Sequence, residues 1–580
     1  MRKRLPRERW DEVLKSEACF DPGLEAAVTN SSRRRNLSCR NFSSANETLR
    51  TKRPAREPIA VAVILIAGFL IRFPGMLSNG FLSDESIYAY AAYAIGRGVT
   101  PYSQIMLAHP PIGYLVLIPS ALLAQGNLLV LRTFNLSTYL LDAGICYWLF
   151  RILRSPSPAS IHPLLGLALF ALYPLPFATT TPLEFTIFDV PILLGTVFFV
   201  RGLEKGSNSR LAVSGVLLGI AVMIWFTALF FAVSLLGFLA IYQLKARRNR
   251  FLELFPKQAA CLVVGGAAAI LLVLGLMITW RAALPNFIVQ SLGLQTSLRP
   301  AFTFVERVYH IEQAIWQLLP IFILATVGSL EIVRRVKSGA DPMILLPAWV
   351  LIANLVMVFA IPRIVLNHYV AYLTPFLVCM TTGPVEKIAK QILLTLRKRA
   401  RLVPWDYFHG AMVIGLVVSA VVIFPYQSGF LSNSPYTLAN QAIGHYVASI
   451  TLEGNAIWTS EGSIAFFASR LIQPPNSTQW PFQAAYNDIF NTTYVDADGV
   501  THEGLGAVSP SEFVEAWQSH NTTVLVFILG TGPVPYPDDF LWYGFPGTEG
   551  VSRWVNSNYQ LVSAPTFPNV GYQYFIWLRK

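Results

Sequence analysis

The sequence predicts an α-helical polytopic membrane protein of about 11–13 transmembrane helices with a C-terminal extracytoplasmic α/β domain. Three observations predict it. Charged residues are only 13% of the 580, about half the ~25% share of soluble domains, and mean hydropathy is +0.49. Lys and Arg fall in short clusters between separate apolar runs, which is the pattern of cytoplasmic loops. From about residue 427 the composition shifts to Pro, Asn, Thr and Trp, with no further run long enough to span. The chain thus divides into a basic tail over 1–57, a multi-span membrane domain over 58–426 and a soluble domain over 427–580.

The net charge of +12 belongs to this topology and to an anionic inner leaflet, so no nucleic-acid partner is expected. The five cysteines include no CxxC spacing, which argues against a metal cluster or a disulfide framework.

Residues 1–57 contain Arg33-Arg34-Arg35 and lack an apolar h-region close to Met1. They read as a disordered cytoplasmic tail and not as a signal peptide. Its sequons at Asn30, Asn36, Asn41 and Asn46 then face the wrong side for glycosylation. Residues 58–77 form the first span and place residue 78 onward outside. Residues 112–125 are apolar but short, either re-entrant or crossing. Further spans cover 128–150, 164–181, 190–201, 211–225, 228–244, 259–278, 315–332, 343–360, 370–382 and 411–424. With 112–125 not crossing, each basic cluster falls inside and the C-terminus outside. In the last part, β-like runs at 456–459, 523–529 and 572–577 alternate with helical patterns at 438–451 and 510–519. Sequons there at Asn476, Asn491 and Asn521 are on the side where modification occurs.

Chemistry concentrates in the first outer loop, residues 81–114. It opens on Asp84-Glu85 and closes on His109-Pro110-Pro111. Ser83-Asp84-Glu85 suits a helix start, and the same carboxylates suit a general base or a metal ligand at the mouth of a membrane cavity. Tyr88 comes next at helical spacing. The two prolines hold His109 extended, either as a turn residue or as a phosphate or hydroxyl contact. Glu184 and Asp189 flank a membrane boundary, where carboxylates are costly unless solvated or used. Arg363, with His368 and Tyr369, lies in an outer loop beside a span. There it either snorkels or grips a phosphate. The chain shows no GxxxxGK[ST], HExxH or GxSxG motif.

The acidic pair, Tyr88, Gly98, Pro101-Tyr102 and His109-Pro110-Pro111 together resemble the first outer loop of the membrane C-type glycosyltransferases (GT-C). The likeness is greatest to the protein O-mannosyltransferase and aminoarabinose-transferase superfamily (glycosyltransferase family 39-like). Asp189 in FDVP and Arg363 with His368-Tyr369 extend the resemblance over roughly 58–385. It implies a GT-C fold and an inverting enzyme that moves a mannose-like sugar from a polyprenyl- or dolichyl-phosphate donor to a hydroxyl. It also implies Asp84 as catalytic base. The chemistry of the transfer adds Glu85 or Asp189 to orient the acceptor or share a proton, and Arg363 with His109 to stabilise the departing phosphate. Aminoarabinose transferases carry a Lys before the paired prolines. His109 stands there, as in mannosyltransferases. The acceptor is a protein, lipid or glycan, and the lipid bilayer is the surrounding partner. No cofactor is assigned, and a divalent cation stays open. The expected location is the plasma membrane, with the N-terminus cytoplasmic and the C-terminal domain outside. A transporter or flippase for a lipid-linked or polar solute is the alternative.

Overall fold

The computed structural model describes residues 56–78, 83–102, 104–107, 109–153, 163–172, 186–246, 248–279, 284, 287–288, 291, 303–317, 319–360, 372–399, 435–459, 462–472, 483–484, 493–495, 501–503, 515, 517–519, 521–530, 549–567 and 572–580. Two compact units are present, Met1–Ala60 and Val61–Lys580. Of the first, only the start of helix α1 is described.

Helices dominate the chain up to Arg399. They are α1 (Arg56–Ser78), α2 (Ser83–Gly96), α3 (Pro111–Ala124), α4 (Leu128–Leu153), α5 (Pro163–Leu172), α6 (Thr186–Lys205), α7 (Asn208–Val222), α8 (Ala228–Ala246), α9 (Phe251–Thr279), α10 (Phe304–Gln317), α11 (Leu319–Lys337), α12 (Leu346–Ala360) and α13 (Thr374–Arg399). Among the described residues, five helical stretches are long and apolar enough to cross a membrane. They are Leu128–Leu153, Thr186–Lys205, Ala228–Ala246, Arg248–Thr279 and Pro342–Ala360. Their outward faces are apolar: Val264, Leu271 and Leu272 of α9 are each about two-thirds exposed. Lipid, not water, suits such a face.

One boundary that bears on the site differs from the sequence reading. The helix expected from 190 begins at Thr186, so Asp189 and Pro191 lie within it. Pro191 is the sixth residue of the helix, past its first turn, so it removes one helical N–H there. The acid Asp189 lies in the first turn, where the helix dipole favours it. The segment 112–125 is the 14-residue helix α3. At ~1.5 Å per residue it spans about 21 Å, short of the ~30 Å hydrocarbon core. The expected span 411–424 lies outside the described residues.

The helices meet through small residues and buried polar ties. α7 crosses α9 on glycines: a Cβ at Gly215 would stand 2.0 Å from the Leu262 carbonyl oxygen, and one at Gly265 would stand 2.2 Å from that of Ala212. Gly215 and Gly219 are four residues apart, the small-xxx-small pattern that lets membrane helices approach closely. Gly215→Ala is therefore expected to push α7 off α9 and cost about 1–3 kcal/mol, read as a lowered unfolding temperature of purified protein. Elsewhere, Trp349 Nε1 on α12 donates to the Ser234 carbonyl on α8 at 2.7 Å. Arg72 of α1 donates to the Tyr139 hydroxyl on α4 at 2.7 Å and to the Ala171 carbonyl in the last turn of α5. A buried guanidinium thus gathers three helices and satisfies a helix-end carbonyl that apolar surroundings would otherwise strand.

The C-terminal part mixes α and β. It contains α14 (Pro435–Ile450), α15 (Gly462–Ala468) and α16 (Glu549–Asn558). The strands, counting from β1 (Ile105–Met106), continue with β2 (Ile457–Thr459), β3 (Gln483–Ala484), β4 (Thr493–Val495), β5 (Thr501–Glu503), β6 (Val524–Gly530), β7 (Tyr559–Ser563), β8 (Thr566–Phe567) and β9 (Tyr572–Arg579). The main sheet has the order β2-β6-β9-β7, with β8 also on β9. β2 and β6 run parallel, while β9 is antiparallel to β6, β7 and β8. The apolar runs at 456–459, 523–529 and 572–577 are three of its strands. An aromatic core closes one face, where Trp458 packs edge-on to Trp517 and Trp517 stacks on Trp554.

Candidate active site around the first-loop helix

Helix α2 carries the first-loop motif, and both its ends are marked in the sequence. It starts at Ser83. It stops because Gly98 takes φ +96°, with Gly98 N–H bonding to the Ile95 carbonyl and Val99 N–H to that of Ala94. This is a Schellman closure, which favours glycine at the left-handed position. The return segment reaches His109 and enters α3 through Pro110 and Pro111. Pro111 occupies a position where no helical N–H is needed. The next orphan donor, Ile112 N–H, bonds to the Met223 carbonyl at 3.1 Å.

Glu85 is fully buried. Its two oxygens accept from Arg132 of α4, Oε1 from Nε at 2.9 Å and Oε2 from NH2 at 2.8 Å. A bidentate fork of this kind is directional as well as strong, and it locks the first turn of α2 to α4. The carboxylate is thereby committed to an ion pair. Among the described residues, no group of three or more His, Cys, Asp or Glu side chains is placed to hold a metal.

Tyr88 lies about one turn further along α2 and meets His109. The Tyr88 hydroxyl and His109 Nε2 share a hydrogen bond of 3.1 Å, and the rings meet edge-on at 5.7 Å. Tyr102, at φ +61°, donates to the His109 carbonyl at 2.6 Å. The sequence-predicted pair Tyr88 and His109 is therefore one unit, held on the ring side and on the backbone side. His109 is buried, with 8% exposure.

Asp189 is buried on α6, and its Oδ1 has no hydrogen-bond partner. Its electrostatic neighbour is Asp142 of α4, which is buried with both oxygens unpartnered. Asp142 belongs to a buried polar stripe along α4: Arg132, Asn135, Tyr139, Asp142 and Cys146. Their alternating spacing of three and four residues keeps them on one helix face. Sequence reasoning treated 128–150 as an apolar span and missed Arg132 and Asp142, although that spacing was the available signal. Two neighbouring carboxylates in apolar surroundings repel if both ionise. Asp142→Asn is accordingly expected to leave thermal stability unchanged or raise it. A fall of more than about 2 kcal/mol in unfolding free energy would show instead that the pair has donors or a cation to satisfy it.

Asp84 stands in the first turn of α2. Its side chain lies outside the described residues, as do Glu184, Arg363, His368 and Tyr369 entirely. Of the nine predicted site residues, the structure thus joins Tyr88 to His109, ties Glu85 to Arg132 and sets Asp189 beside Asp142.

No protein-family model matches the chain, and no curated protein matches it in sequence. Solved structures do resemble it. ArnT from Cupriavidus metallidurans bound to undecaprenyl phosphate is 14% identical, with a TM-score of 0.55 over 89% of this chain and 97% of that one. The Archaeoglobus fulgidus oligosaccharyltransferase, tethered with an acceptor peptide containing the NVT sequon, is 12% identical. Its TM-score is 0.52 over 83% of this chain and 69% of that one. The fold is that of the C-type membrane glycosyltransferases. With its apolar helices, this makes the chain an integral membrane protein.

Proposed function

We propose that the protein is an inverting glycosyltransferase. It moves a mannose-like sugar from a polyprenyl- or dolichyl-phosphate donor to a hydroxyl acceptor on the outer side of the membrane. The observation that carries this reading is helix α2, pinned by the Glu85–Arg132 fork and joined by Tyr88 to His109. Asp84 stands in its first turn. The fold adds support, because one structure that shares it holds undecaprenyl phosphate and another an acceptor peptide.

A lipid-phosphate sugar is already activated, so no nucleotide is needed. The acceptor oxygen attacks the anomeric carbon from the side opposite the phosphate, and the C–O bond to phosphate breaks. Asp84 takes the acceptor proton as general base. His109, fixed by Tyr88, and Arg363 stabilise the charge gathering on the departing phosphate, and His368 and Tyr369 are assigned to substrate binding. Glu184 is assigned to substrate binding, and Glu85 or Asp189 to orienting the acceptor. The plasma membrane, with the N-terminus cytoplasmic and 427–580 outside, is the setting that fits the basic clusters.

The buried acids Asp142 and Asp189 also suit a second reading, a transporter or flippase that uses intramembrane charges as a pathway. Purified protein in detergent, incubated with a panel of polyprenyl-phosphate sugars and hydroxyl acceptors (peptide, lipid and glycan), separates the two. A transferase releases polyprenyl phosphate without any membrane to cross. A transporter leaves every donor intact in detergent and moves solute only in sealed vesicles.

A further inference from the structure

The C-terminal part grips α2 on a face other than the one that carries Glu85 and Tyr88. Tyr90 is fully buried, and its hydroxyl accepts the Ile472 N–H at 2.8 Å. Burial raises its pKa above the ordinary phenol range, so it stays a neutral hydroxyl. Tyr93, one turn on, donates to the Ser469 carbonyl at 2.8 Å. Arg97, a further turn on, pairs with Glu453 at 2.5 Å, an exposed contact of little strength.

The receiving segment is itself braced. Ser469 closes α15 in the left-handed region at φ +52°. Its N–H bonds to the Phe466 carbonyl and that of Arg470 to Ala465, which is the Schellman pattern with serine where glycine is usual. Buried Arg470 then donates to the Thr451 hydroxyl and carbonyl at 3.0 and 2.8 Å, tying the turn to the end of α14.

The other side of the Tyr88–His109 contact is held by the same part of the chain. β1, two residues before the approach to His109, pairs in parallel with β3, with Ile105 opposite Gln483 and Met106 opposite Ala484. Both elements that bring Tyr88 and His109 together are therefore fastened to residues more than 350 positions away.

We propose that the C-terminal part is a positioning component of the candidate site: through Tyr90 and Tyr93 it sets α2 so that Tyr88 orients His109. This rests on the transferase reading given above. Tyr90 and Tyr93 touch neither donor nor acceptor and act only through α2.

Tyr90→Phe and Tyr93→Phe keep the rings and remove the hydroxyls. Each is expected to lower kcat about 10-fold, within the ~100-fold that a 1 Å misplacement can cost, while KM for the lipid donor stays within about twofold. A double-mutant cycle separates positioning from plain stability: the Tyr93→Phe penalty should vanish in a Tyr88→Phe background, because the contact it sets is already gone. A second readout needs no activity. Diethylpyrocarbonate should modify His109, followed by mass spectrometry, about 10-fold faster in either variant, as α2 opens locally. Unchanged kcat with unchanged His109 reactivity overturns the proposal, as does a Tyr93→Phe penalty of equal size in both backgrounds. If wild-type protein releases no polyprenyl phosphate from any donor, the transferase reading fails. The His109 reactivity then decides the positioning claim alone.

Discussion

Asp84→Asn is expected to leave the protein folded and inserted and to lower sugar transfer by about 10²–10⁴-fold, the usual worth of a general base. The size follows from the chemistry. A hydroxyl is a poor nucleophile unless its proton leaves as the new bond forms, and an amide cannot accept that proton. The fold should tolerate the change. α2 is pinned by Glu85 to Arg132 and by Tyr90 and Tyr93 to the C-terminal part, and none of these ties involves residue 84. Binding of polyprenyl phosphate alone should survive, since the phosphate contacts assigned to His109 and Arg363 are intact. Full activity in this variant would remove Asp84 from the base role.

Arg132→Ala is expected to have the largest effect on stability. It strands the Glu85 carboxylate, 0% exposed, without its counter-charge, and breaking a buried pair in this way costs about 3–5 kcal/mol. The ion pair itself is a weaker source of stability than that figure suggests, because both groups gave up hydration to form it. Hence Glu85→Leu combined with Arg132→Met should recover much of the loss, read as unfolding temperature. Transfer should not recover to the same degree, because the apolar pair fills the volume without the directional fork that orients the first turn of α2. Recovery of both together would show that the pair is only packing.

Much of the fold was legible because it depends on local signals. The start of α2 was written in Ser83-Asp84-Glu85 and its stop in Gly98. The strands β2, β6 and β9 were legible as short apolar runs. The join of Tyr88 to His109 could be anticipated only as two parts of one loop, and the hydrogen bond came with the structure. Long-range partners, and those masked by composition, stayed hidden. Arg132 lies 47 positions from Glu85, and no local pattern announces the partner. Asp142 sits inside an apolar run, and only its place on a buried helix face gives it meaning. Asp189 reads as preceding a span that starts at 190, yet the helix begins at Thr186 and carries Pro191 within it. The grip of residues 469–472 on α2 crosses almost 400 positions and has no sequence signature at all.

The central claim is bond transfer from a lipid phosphate, and the stoichiometry of a single turnover tests it most directly. Purified protein is mixed with a matched polyprenyl-phosphate sugar and a hydroxyl acceptor, and both products are counted. The account predicts one polyprenyl phosphate released for each glycosylated acceptor, with the anomeric configuration inverted, and neither product above background with Asp84→Asn. Intact donor after prolonged incubation with every sugar tried, or a product of retained configuration, would contradict it.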